Sequence, residues 1–130
     1  GQRQRVWIAL ALAQRTPLLL LDEPTTFLDI AHQVEVLDLV ADLNERDGST
    51  VVMVLHDLNQ ACRYAHHVIA MQGGAVVASG APSDVVTEAL VQQVFGLECV
   101  VVPDPVAGTP LVLPAARRRE GLLARPSSLQ

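Results

Sequence analysis

The chain has 130 residues, 50% of them apolar, which suits one modest globular domain or a piece of a larger one. A net charge of -5 and an aromatic share of 3% argue against a basic phosphate-neutralising face and against a base-stacking platform, so no nucleic-acid partner is expected. Cys62 and Cys99 stand far apart without CxxC spacing, which excludes a disulfide framework and reads as two reduced thiols in a cytosolic setting.

Gln2 to Gln14 predicts a helix with Val6, Leu10 and Ala13 on one face, stopped by Thr16-Pro17. Arg3 and Arg5 ahead of VWIALALA imitate a secretory signal, yet no Met precedes them and a well-patterned domain follows. The apolar runs beside Gln14, Arg15 and Pro17 are too short to span a bilayer. A first residue that already starts a helix suggests that an N-terminal part precedes Gly1.

A buried strand is expected at Leu18 to Leu21. After a Pro-Thr-Thr loop, Ala31 to Arg46 carries Val36, Val40 and Leu43 at helical spacing, and Asp47-Gly48 ends that helix. Thr50 to Leu55 is apolar on both faces, the pattern of a strand covered by helices on two sides. Asp57 with Gln60 three residues later resembles a capping box opening a short helix. Helix, strand, helix, strand, helix in that order implies a parallel α/β sheet.

Further on, His67 to Met71 and Val76 to Ser79 flank Gln72-Gly73-Gly74, a hairpin signal. Asp84 to Phe95 predicts one helix stopped by Gly96, and CVVVPDPVAGTPLVLP predicts two short strands around a turn. The expected organisation is a main domain over residues 1–96, a small β extension over 97–114 and a flexible tail over 115–130, which holds the only basic run, Arg117 to Arg119.

The chemistry gathers in LLLLDEPTTFLD, residues 18 to 29, where a run of leucines ends in Asp22 and Glu23. Neighbouring side chains of an extended chain take opposite directions, so the two acids can hold different tasks. Carboxylates roughly 5 to 6 Å apart repel by about 3 kcal/mol at an effective dielectric near 20, a strain relieved by a divalent cation or by water. Alone, such a pair reads as a solvated strand end and a lone histidine as structural. Ligands of open α/β sheets, however, collect at the carboxyl ends of the strands, and the second strand ends at His56.

With those residues in view, the chain resembles the C-terminal half of an ATP-binding-cassette (ABC) ATPase, a P-loop (RecA-like) fold. GQRQR is similar to the tail of that family's LSGGQ signature, LLLLDE to its Walker B strand and catalytic glutamate, FLD to its D-loop and LHD to its switch-histidine loop. These motifs cover residues 1 to about 80. The strings DEPTTFLDIAHQ, VLHDLNQACRYA and PDPVAGTPLVLP are similar to ATPase subunits of importers for iron-siderophore, haem or cobalamin-type substrates. His66 and Ala75 depart from the usual acid and base there, at the periphery.

The resemblance implies ATP and Mg²⁺ as cofactors. It implies Asp22 as the metal-holding Walker B acid, Glu23 as the general base and His56 as the switch residue at the γ-phosphate. It implies Asp29 as the D-loop acid that crosses a dimer interface, and Gly1 and Gln2 as the end of the signature that caps a nucleotide on the opposite subunit. The implied partners are a second ATPase subunit, transmembrane permease subunits and, indirectly, a substrate-binding protein, at the cytoplasmic face of the membrane. The glycine-rich P-loop, the Q-loop and the start of the signature are expected upstream of Gly1, so this stretch alone is expected to be inactive. A non-transport ABC ATPase of translation or DNA maintenance, and a non-enzymatic remnant, remain the alternatives.

Overall fold

The structure, a computed structural model, describes residues 17–115. The expected first helix, Gly1, Gln2 and residues 116–130 of the tail lie outside the described residues. The chain divides into two compact units between His66 and His67.

The first unit is built on two parallel strands, β1 (Leu18–Asp22) and β2 (Thr50–Val54), in the register Leu18 to Thr50 through Asp22 to Val54. The ladder extends past both ends, with the Thr50 N–H on the Pro17 carbonyl at 2.8 Å and the Glu23 N–H on the Val54 carbonyl at 3.0 Å. Helix α1 (Ile30–Asp47) connects the strands, as a parallel pair requires. It starts where Asp29 accepts a hydrogen bond from the His32 N–H at 2.9 Å, and it stops at Gly48. Gly48 lies at φ 67, a left-handed conformation that costs glycine nothing, and its N–H returns to the Asn44 carbonyl at 3.1 Å.

Val36, Val40 and Leu43 of α1 are buried, and Leu19, Leu21, Val51 and Met53 of the strands pack against them together with Leu28 and Leu39. Each such side chain contributes about 1.5–3 kcal/mol when fully taken from water. The parallel pairing is as expected, and of the two-sided cover expected for the second strand the described residues supply one side. Leu18, Leu20, Val52 and Val54, the alternate set, are exposed, Leu20 at 69%. A two-sided apolar pattern records what a strand can bury, whereas cover on a given face depends on another element being there.

Helix α2 (Leu58–Tyr64) follows β2, capped by Asp57, whose Oδ1 accepts from the N–H groups of Asn59 and Gln60 at 2.9 and 3.1 Å. The return arm of the expected capping box is not made, and the Gln60 side chain donates from Nε2 to Gln33 at 2.8 Å.

In the second unit, β3 (Val68–Gln72) and β4 (Ala75–Gly80) form an antiparallel hairpin closed by Gly73 and Gly74, both at positive φ, the twist that a two-residue hairpin demands. The helix expected over Asp84 to Phe95 is two helices, α3 (Pro82–Val85) and α4 (Glu88–Phe95). Thr87 breaks it by acting as a fresh cap, its hydroxyl accepting from the Leu90 N–H at 3.1 Å. Strands β5 (Cys99–Pro103) and β6 (Pro110–Pro114) make a second antiparallel pair. Its loop is organised by the buried Asp104, which accepts from the Val106 N–H at 2.8 Å. Glu88 of α4 accepts from the Val101 N–H at 2.9 Å and so ties this pair to the helix. Among the described residues, no helix is long and apolar enough to cross a membrane.

Candidate active site at the strand tips

Asp22 is the last residue of β1 and belongs to its exposed alternate set, level with Val54 at the tip of β2. Glu23 leaves the strand at φ 51, a region that few residues other than glycine occupy. Glu23 thus turns the chain out of β1 just past Asp22, the last strand residue. The Glu23 backbone is held at this point by the hydrogen bond to the Val54 carbonyl, and the Thr26 N–H returns to the Glu23 carbonyl at 3.2 Å.

His56 lies two residues beyond β2, on the strand neighbouring β1, and its Nε2 meets Glu23 Oε1. The Thr26 hydroxyl reaches the other carboxylate oxygen, Oε2, at 3.4 Å. An ionised carboxylate can only accept, so His56 carries its proton on Nε2 and turns Nδ1 away from Glu23. The pair is open to solvent, the His56 side chain at 76% and the Glu23 side chain at 38%, so a ligand can reach it.

Asp29 caps α1 seven positions from Asp22, on the same connecting loop. The His32 backbone N–H, supported by the nearby imidazole, holds the Asp29 carboxyl below its ordinary value of 3.8. His32 Nδ1 is 2.8 Å from Asp29 Oδ1, a companion that sequence reasoning did not single out. The loop between Glu23 and Asp29 has a second left-handed residue, Phe27 at φ 66, whose side chain is fully exposed. A bulky residue in that conformation is costly and marks a loop shaped for something other than its own stability.

The structure thus brings Asp22, Glu23 and His56 to the tips of two adjacent parallel strands, with Asp29 at the far end of the same loop. Gly1 and Gln2 lie outside the described residues. Sequence reasoning missed Thr26, His32 and Gln33; only the contacts made in the fold single them out.

The residues present match one part of a metal-nucleotide site and not another. Hard oxygen donors suit Mg²⁺, which takes one or two carboxylates and fills its remaining positions with phosphate oxygens and water. Asp22 can be such a donor, and among the described residues no cluster of three or more His, Cys, Asp or Glu forms a self-sufficient metal cage. A phosphate cradle is missing from the sequence. No GxxxxGK motif occurs, and all nine basic residues are arginine.

No family model matches the chain. It is 58% identical over 117 residues to the ferric enterobactin transport ATP-binding protein FepC of Escherichia coli, covering 90% of this chain and 43% of that protein. It is 59% identical over 119 residues to the achromobactin transport ATP-binding protein CbrD of Dickeya dadantii, covering 92% and 44%. Against the hemin import ATP-binding protein HmuV of Rhodococcus jostii the identity is 45%, covering 92% and 40%. The chain therefore spans less than half the length of these curated relatives. Among solved structures, an inward-facing ABC transporter described as of metal-chelate type is similar at a TM-score of 0.79 and 30% identity, covering 89% of this chain and 47% of that one. A dimeric ATP-binding cassette, MJ0796, with ADP and Pi, is similar at a TM-score of 0.57 and 43% identity, covering 62% and 34%.

Proposed function

Because the chain belongs to the ABC ATPases, we propose that it supplies the catalytic half-site of an ATP-hydrolysing subunit that powers import, with an iron-siderophore complex as the transported substrate. The single observation that carries this reading is the meeting of Glu23 and His56 at the tips of two adjacent parallel strands, beside Asp22. The siderophore assignment leans on relatives whose names specify enterobactin and achromobactin transport.

In this reading Asp22 holds Mg²⁺, which when bound neutralises charge on the nucleotide's phosphates. Glu23 is the general base. Its Oε1 is occupied by His56 and its Oε2 only weakly by Thr26, so Oε2 is the oxygen free to orient a water and take its proton. His56, with its Nε2 proton committed to Glu23, either turns that proton to a phosphate oxygen or carries a second proton on Nδ1; both make it a donor where negative charge builds. Asp29, at the exposed start of α1, faces a second ATPase subunit, and Gly1 and Gln2 cap that subunit's nucleotide. Permease subunits and, through them, a substrate-binding protein complete the assembly at the cytoplasmic face of the membrane, with no nucleic-acid partner. The phosphate cradle comes from sequence outside these 130 residues, so the chain alone does not turn over ATP.

The test is Glu23→Gln in the complete gene product that contains this chain. Hydrolysis falls by about 10²–10⁴-fold while nucleotide binding persists, the loss typical of a missing general base. Turnover near that of the unsubstituted protein would refute the assignment. Uptake of a labelled ferric siderophore, abolished by the same substitution, tests the substrate class, and unchanged uptake removes it.

A further inference from the structure

Two glutamines on different helices join the two loops of the site. Gln33, in the first turn of α1, donates from Nε2 to the Leu28 carbonyl at 2.8 Å. Gln60, in the first turn of α2, donates from its own Nε2 to Gln33 Oε1, also at 2.8 Å. Both contacts are half-buried, so water competes with them less than at the open surface.

The direction of this chain is fixed by chemistry. A backbone carbonyl can only accept, so Gln33 must turn its NH₂ toward Leu28, which leaves its oxygen facing Gln60 and obliges Gln60 to donate. Leu28 immediately precedes Asp29 and closes the loop that begins at Glu23. Gln60 belongs to the turn of helix whose cap, Asp57, immediately follows His56. One end of the chain therefore holds the Glu23–Asp29 loop and the other holds the segment that carries His56. Neither of these two hydrogen bonds involves Glu23 or His56.

We propose that Gln33 and Gln60 are positioning residues, a directional hydrogen-bond link that sets the Glu23–Asp29 loop against the His56 turn and so keeps the general base and the histidine in register. This rests on the ATPase reading above for its kinetic consequence, but not for the link itself.

Two measurements test it. The first is backbone amide hydrogen exchange at Thr26 and Leu28, whose N–H groups bond within the loop to the carbonyls of Glu23 and Thr25. Gln60→Ala speeds their exchange by about tenfold, the equivalent of one hydrogen bond of ordinary net strength, although residue 60 is on another helix. Unchanged exchange in a folded Gln60→Ala variant overturns the link.

The second is steady-state ATP hydrolysis by the complete gene product. Gln33→Ala and Gln60→Ala each lower kcat about tenfold with KM for Mg-ATP within about twofold, and the double variant is no worse than either single one, because both break the same link. Gln60→Glu fails like Gln60→Ala, since it sets an acceptor against an acceptor. Combining it with Gln33→Arg, which donates to both the Leu28 carbonyl and a carboxylate, restores kcat to within about threefold of the original. Additive losses, or no recovery in the paired variant, overturn the positioning role. If the unsubstituted protein hydrolyses no ATP while the exchange at Thr26 and Leu28 still responds, the ATPase reading falls and the link stands.

Discussion

Glu23 and His56 stand 33 positions apart in the chain, yet the imidazole Nε2 of one meets the carboxylate Oε1 of the other. The pairing follows from the register of β1 and β2: Asp22 lies level with Val54, so the residues just past each strand emerge side by side. On the proposed ATPase reading, removing the imidazole takes the partner from Glu23 Oε1, leaving only the Thr26 contact, and deletes the donor assigned to the phosphate. In the complete gene product His56→Ala is expected to lower kcat by about 10²-fold or more while ATP binding changes little, as loss of a transition-state donor does. Steady-state kinetics beside equilibrium nucleotide binding checks this, and a change confined to binding would reassign His56.

Tyr64 ties α2 to α1 through its hydroxyl, which donates to Asp38 Oδ1 at 2.7 Å. Burial, followed by this bond to a carboxylate, pushes the phenol up to about 12 from 10.0. Deprotonation in the folded state is thus harder than in the unfolded chain. The stability this lends is complete below pH 10.0 and is lost as the pH rises through about 12. The chain has a single tyrosine, so ultraviolet absorbance reports it alone. A midpoint near 12 that falls toward 10.0 in Asp38→Asn is the expected result.

Asp57 satisfies two otherwise orphaned N–H groups at the start of α2, those of Asn59 and Gln60. Asp57→Ala exposes both and is expected to cost about 1 kcal/mol, within the usual range for a lost N-cap. Urea unfolding followed by circular dichroism measures it, and Asp57→Asn, which keeps the accepting oxygen, should recover most of the loss.

Leu37 has no exposed surface, whereas Leu20 on the open face of β1 is 69% exposed. Leu37→Ala is expected to destabilise the chain by about 2–5 kcal/mol through lost burial and the cavity it leaves. Leu20→Ala should stay within about 0.5 kcal/mol, since it removes little buried surface. Equal costs in denaturant unfolding would contradict the difference in burial between the two leucines.

Much of the local architecture was legible in the residues. Val36, Val40 and Leu43 at helical spacing named the face that α1 buries, and Gly48, Gly73-Gly74 and Gly96 marked stops and turns whose backbone only glycine takes without strain. The break between α3 and α4 was also written there, in Thr87 ahead of Glu88, a cap that the expectation of one helix over Asp84 to Phe95 passed over. Asp22, Glu23, Asp29 and His56 were named from their motifs and their place at strand ends, since such signals are contiguous in the chain.

Contacts between residues far apart in sequence were decided only by the tertiary structure. Spacing cannot say that Glu23 leaves β1 in a left-handed turn, that the Gln60 side chain donates to Gln33, or that among the described residues one face of the β1–β2 pair stays exposed. Each outcome depends on which groups are brought within hydrogen-bonding or packing distance once β1 and β2 have aligned. A sequence fixes local conformational preference and apolar periodicity because these arise between near neighbours. The partners of a polar side chain and the cover of an apolar face are set by the packing of whole elements.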